Sequence, residues 1–186
     1  MRNKNIFIIA AILLIGLAFF FGSKTGRLSN NKQDTSQILS NTKSAPTTLL
    51  NKQAPDFKLT TLDNQEFKLS EQRGKTIILF GMAGWCGTCI AEGRVLTKLK
   101  QEYADKGVEV IGVAFTEGDN EDFLREFKRL GQIDIPLALD TDNVAEKYNL
   151  TRLETTYIIN KEGIIVYKDE QNTDENTYRE ELDKIL

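Results

Sequence analysis

Thr76-Ile77-Ile78-Leu79-Phe80 runs through Gly81-Met82-Ala83-Gly84 into Trp85-Cys86-Gly87-Thr88-Cys89, and Ile90-Ala91-Glu92 leads on to Lys100. The first five residues are apolar on both faces, as in the central strand of a covered sheet. The run after the cysteines has helical spacing, with Val95, Leu96, Leu99 and Tyr103 on one side. Two thiols, two residues apart, therefore sit between a buried strand and the first turn of a helix. A helix N-terminus offers free N–H groups and partial positive charge, which favour thiolate at Cys86. Thiolate is the form that attacks a disulfide. Cys89, one turn on, can resolve the mixed disulfide that results.

These are the only two cysteines among 186 residues. A structural role for the bond is weak, because closing so short a loop removes little unfolded-chain entropy. A zinc centre needs further ligands, and there is no second cysteine pair. The chain contains no histidine, which removes imidazole-based metal sites and Cys-His or Ser-His catalysis. Net charge is −3, with no basic block beyond the N-terminal flank, so nucleic acid is not an expected partner.

Working outward, residues 1–22 read as a membrane anchor or signal. Arg2 and Lys4 precede an apolar run from Ile6 to Phe21, close to the ~17-residue lower limit for a spanning helix. Its exit, Phe19-Phe20-Phe21-Gly22-Ser23-Lys24, has no A-x-A pattern, so an uncleaved anchor is expected. No cysteine follows it, which excludes a lipoprotein anchor. Lys24, Arg27 and Lys32 leave the charge rule for orientation undecided. A short N-terminal tail before a large domain favours a cell-membrane location with the domain facing outside the cytoplasm. Residues 23–51, rich in Ser, Asn, Thr, Gln and Lys, read as a polar tether, and 52–186 as one folded domain.

Within that domain, Ala54–Leu59 and Glu66–Leu69 alternate around a turn at Asp63-Asn64 and predict a hairpin. Ser70 is expected to cap a short helical turn that Gly74 ends. Val108–Phe115 predicts the next buried strand, parallel to the first by a right-handed crossover. Asp119 or Asn120 then caps a helix whose Phe123, Leu124, Phe127 and Leu130 form a core-facing stripe. Pro136–Leu139 reads as a short strand, and Asp142 as the start of a helix carrying Val144, Ala145 and Tyr148. Thr155–Ile159 and Ile164–Tyr167 form an antiparallel hairpin turning at Lys161-Glu162-Gly163. A last helix over Asn176–Leu186 sets Tyr178, Leu182 and Ile185 on one side.

From Ala54-Pro55-Asp56-Phe57 through Trp85-Cys-x-x-Cys89 to the Thr155-Thr156-Tyr157 hairpin, the chain resembles the thioredoxin-like family. It is most similar to the membrane-tethered TlpA/ResA type of thiol-disulfide oxidoreductase. The resemblance implies an α/β fold with a central mixed sheet flanked by helices, plus an extra N-terminal hairpin. It implies Cys86 as an exposed nucleophile, Cys89 as the resolving thiol, and Glu92 as a carboxylate near the thiols that raises their pKa or relays a proton. Trp85, Thr88, Leu153, Glu154 and Thr155 would line the substrate groove. Client protein disulfides are the implied partners, apocytochrome c among them, with electrons from a membrane thiol-disulfide donor and the bilayer engaged through residues 6–22. No bound cofactor is required, since the cysteine pair carries the electrons.

The sequence departs from the family pattern at three places. Thr88 replaces the usual proline between the cysteines, adding a hydroxyl that could donate to a sulfur. Glu154 occupies the position of the cis-proline that faces the thiols. A cis bond before a non-proline costs about 2.5–4 kcal/mol, so the Leu153–Glu154 bond is expected to be trans. Phe80 and Gly81 replace polar or aromatic residues in the strand before Trp85. An ionised Glu154 near Cys86 would disfavour thiolate and make the protein a reductant. Three other functions are weighed. A thiol peroxidase would want a threonine at Ala83 and a supporting proline, and has neither. A redox-silent thioredoxin-like adaptor would bind through the surface around Trp85. A copper chaperone of the related type would need a longer cysteine spacing and a histidine.

Overall fold

The computed structural model describes residues 48–186. The anchor read at residues 1–22 and nearly all of the tether at 23–51 lie outside the described residues. Near the start of the described residues, the Leu49 side chain packs against the core and the Asn51 N–H donates to Ile165 O at 2.8 Å.

The hairpin is formed by β1 (Lys58–Thr60) and β2 (Glu66–Lys68). They pair antiparallel with Leu59 opposite Phe67, both facing the core. A 3₁₀ turn over Leu69–Gln72 follows. Ser70 does not cap it; Asp56 Oδ1 accepts the Ser70 N–H at 2.8 Å, because the longer acidic side chain reaches across the hairpin.

The main sheet holds β3 (Thr76–Met82), β4 (Val108–Ala114), β5 (Leu137–Leu139), β6 (Thr155–Ile159) and β7 (Ile165–Asp169), in the order β5-β4-β3-β6-β7. β3 pairs parallel with β4 and antiparallel with β6, so the sheet is mixed and β3 is central. Every residue of β3 is buried. Alternation along it divides the core: Ile78, Phe80 and Met82 face one layer, and Ile77 and Leu79 face the other.

The first layer is covered by α1 (Cys89–Glu102), α2 (Glu121–Gly131) and the C-terminal α4 (Glu175–Asp183), through Leu96, Leu99, Leu124, Phe127, Tyr178 and Leu182. The second is covered by the hairpin and by α3 (Val144–Tyr148). The Tyr148 hydroxyl donates to Pro55 O at 2.7 Å, locking the hairpin segment to α3. This is the thioredoxin-like α/β arrangement with an added hairpin.

Two local expectations need correction. In α2 the buried line is Leu124, Phe127 and Gly131, while Phe123 and Leu130 are 43% and 51% exposed. At about 100° per residue, positions 123 and 130 fall on a flank of that line, turned away from the buried face. In α3 the free N–H groups of Val144 and Ala145 are taken by Asp140 at 2.7 and 2.8 Å, not by Asp142. Asn120 does cap α2, accepting the Phe123 N–H at 3.0 Å.

Candidate active site

β3 ends at Met82, and a tight turn closed by Cys86 N–H to Ala83 O carries the chain into α1. The turn is seated on α2. A Cβ on Gly84 would meet Phe123 Cβ at 2.7 Å and Phe123 C at 2.9 Å, so only glycine allows this approach. Asp119 fastens the same turn from the other side. Its Oδ1 accepts Gly84 N–H at 2.8 Å, and its Oδ2 accepts Thr116 N–H and Thr116 Oγ1–H at 3.0 and 2.6 Å. Thr116 Oγ1 in turn accepts the Trp85 indole N–H at 3.1 Å. Trp85 is thereby held with 57% of its surface open beside the cysteines.

Cys86 and Cys89 form a disulfide, with their Cα atoms 5.3 Å apart. Cys89 N–H, the first amide of α1, donates to Cys86 Sγ at 3.2 Å. That contact places the helix's unsatisfied N–H charge on the attacking sulfur. The Thr88 hydroxyl lies 3.4 Å from the same sulfur. A disulfide sulfur has no proton, so Thr88 is the donor. Cys86 is not the openly exposed sulfur that the resemblance implies. It is 5% exposed and Cys89 is 0% exposed, with the Thr88 hydroxyl and a Glu154 carboxylate oxygen lying close to the Cys86 sulfur.

Glu154 stands at the family's proline position. Among the described residues no peptide bond is cis. Glu154 instead takes φ +63, in the left-handed region, and its N–H donates to Gly81 O at 2.9 Å. Left-handed backbone costs a non-glycine residue about 1–2 kcal/mol, so the surrounding structure must hold it there. Gly81 permits the close approach: a Cβ at that position would meet Leu150 Cδ1 at 3.1 Å and Thr155 O at 3.4 Å. The result is that a carboxylate oxygen of Glu154 and both sulfurs lie within 4.8 Å of one another. Glu154 Oε1 is buried and has no hydrogen-bond partner among the described residues. Leu153 is partly buried against the core layer that contains the cysteines. Thr155 is buried and turns inward, donating to Arg152 O at 2.7 Å.

Glu92, one helical turn after Cys89, is fully buried rather than solvated. Its Oε1 accepts from Tyr178 OH at 2.5 Å, Thr156 Oγ1 at 3.1 Å and Thr173 N at 3.4 Å. Asn172 Nδ2 donates to Oε2 at 3.4 Å. Desolvation raises the Glu92 carboxyl to about 7. The hydrogen bonds pull it down and the Glu154 charge pushes it up, but burial outweighs the donors. Sequence reasoning placed Glu92 and Glu154 at the site but gave no site role to Asp119, Thr116, Thr156 or Tyr178. Tyr178 was legible as an apolar face residue; its hydroxyl's target lies 86 positions away.

A strand-to-helix disulfide in this sheet, with an amide on the leading sulfur and an exposed indole beside it, defines a thioredoxin-like thiol-disulfide oxidoreductase. The chain belongs to the Redoxin family, whose model matches residues 49–186. It is similar to the thioredoxin-like protein YneN of Bacillus subtilis, at 36% identity over 114 residues, which are 61% of this chain and 66% of that one. The thiol-disulfide oxidoreductase ResA of Bacillus cereus aligns at 25% identity over 185 residues, covering 99% and 98% of the two chains. Among solved structures, a thiol:disulfide interchange protein of the thioredoxin family from Chlorobium tepidum superposes with a TM-score of 0.65. It shares 19% identity, covers 76% and 97% of the two chains, and speaks for the fold alone.

Proposed function

We propose that this oxidoreductase runs in the reducing direction, on client disulfides outside the cytoplasm, tethered by its N-terminal segment. In the forward step Cys86 thiolate attacks one client sulfur and releases the other as a thiolate. Cys89 thiolate then attacks Cys86 Sγ, releasing the second client thiolate. The client gains two electrons and takes up two protons, and the protein is left as the Cys86–Cys89 disulfide. The structure is the oxidised end of that cycle.

The observation that carries the direction is Glu154, within 4.8 Å of both sulfurs. Two like charges at that separation repel by about 3 kcal/mol at an effective dielectric of ~20. The competing attraction, an S–H bond to the carboxylate, uses a weak donor. Repulsion therefore outweighs it, the reduced pair loses the stabilisation that thiolate formation would give, and electrons leave more readily. The apolar run at residues 6–22 and the end-to-end alignment with a ResA protein support the tethered, external placement. Electrons would then come from a membrane thiol-disulfide donor, and apocytochrome c fits as one client.

Equilibration with a glutathione buffer in the presence of a chelator tests the direction. A potential at or below the roughly −270 mV of thioredoxin is expected, and E154Q should raise it. A wild-type value near the ~−120 mV of a strongly oxidising enzyme, or no change in E154Q, would overturn the proposal.

A further inference from the structure

Glu154 brings a third ligand atom to a pair of cysteines whose spacing is that of a metal chelate. C-x₂-C is a spacing at which zinc sites take two thiolates from one chain segment. In the oxidised protein the sulfurs are bonded to each other and unable to ligate. On reduction they separate, and a tetrahedral ion with Zn–S bonds of ~2.3 Å would hold them roughly 3.8 Å apart. With Cα atoms 5.3 Å apart that separation is within reach of side-chain rotation. The Glu154 carboxylate already lies within 4.8 Å of both sulfurs, and its Oε1 is buried with no donor among the described residues. A buried acceptor left unpaired is costly. Its left-handed backbone is a second cost paid at the same residue. A cation between the carboxylate and the thiolates would relieve the first and give the second a use.

We propose that the reduced protein binds one thiophilic divalent ion, of the zinc class, through Cys86 Sγ, Cys89 Sγ and a Glu154 carboxylate oxygen, leaving the fourth position to water or a ligand. Binding exchanges two thiol protons for the ion and involves no electron transfer. Oxidation to the disulfide removes two of the three ligands, so the ion is released when the pair is oxidised. While bound, it occupies the lone pair with which Cys86 attacks a client. The site is thus a redox-gated metal switch on the exchange reaction, and it does not depend on which direction that reaction runs.

The test uses the full-length chain, reduced with a phosphine, desalted without air and titrated with cobalt(II). One equivalent should produce thiolate-to-cobalt charge-transfer absorption, release two protons and be displaced by zinc. The disulfide form should give no band. E154Q keeps the side chain's volume, and E154G suits the positive φ while removing the ligand. Both should weaken binding at least tenfold, the loss seen when even a group that only orients a ligand is removed. Far-ultraviolet circular dichroism identifies which variants remain folded, and either folded variant decides the question. Absence of the band in the reduced wild type, or wild-type affinity in a folded variant, would overturn the site.

Discussion

Glu92 is a buried carboxyl under four donors, and the sign of its effect on stability follows from its raised pKa. An unfolded glutamate ionises near 4.5, and the folded one near 7. Between those values the native state holds more protons than the unfolded state, so stability falls as pH rises. The contribution is fully present below about 4.5 and gone above about 7. Its size is about 3 kcal/mol, from the rise of the carboxyl from 4.5 to about 7. Urea unfolding of wild type should therefore weaken between pH 5 and pH 8, and E92Q should flatten that slope. Equal slopes in the two proteins would mean that another group titrates. At this scale the sequence was half legible. It singled out Glu92 and Glu154 by position, because both sit at fixed offsets from recognisable motifs. It did not show that Glu92 is buried or that Glu154 adopts φ +63, since both depend on what other segments bring near.

The elements that shape the site are short-range in origin, and most were readable. The apolar run of β3, the helical spacing of α1 and the turn glycine at Gly163 each leave a local pattern that one strand or one helix must satisfy. Packing between elements leaves no such trace. Phe123 was read as core, yet its Cβ and backbone press on Gly84 while the residue stays 43% exposed. That contact is backbone against backbone, so neither side can yield by rotating a side chain. G84A should cost about 1–3 kcal/mol, the range for overpacking. It should also displace the turn that Asp119 fastens, and Trp85 fluorescence reports that change together with the unfolding midpoint. An unchanged midpoint would show that α2 can shift away from the turn without loss.

Across the whole molecule, the C-terminal helix meets the redox helix at surface ion pairs, Lys98–Glu175 and Arg179–Glu102, and at one buried hydroxyl beneath them. Tyr178 on α4 donates to Glu92 on α1 at 2.5 Å, and its oxygen lies 2.8 Å from Thr156 Oγ1 on β6. Strand order, and hence this meeting of α1, α4 and β6, is a property of topology. Periodicity placed Tyr178 on the inner face of its helix but gave its hydroxyl no partner. The bond holds the Glu92 carboxyl down against the pull of burial. Y178F removes that donor and keeps the ring, so the core layer around Leu182 stays filled. The folded Glu92 should then ionise above about 7, and the fall in stability should extend to higher pH than in wild type. The same variant loses a hydrogen bond to a charged group, worth about 1.5–3 kcal/mol, but only above the pH at which Glu92 ionises. Urea unfolding of Y178F and wild type at matched pH should therefore diverge on the alkaline side and narrow toward pH 5 to the smaller, pH-independent loss of the Thr156 bond. A constant difference at every pH would mean that the hydroxyl contributes only pH-independent hydrogen bonding, as to Thr156, and does not tune Glu92.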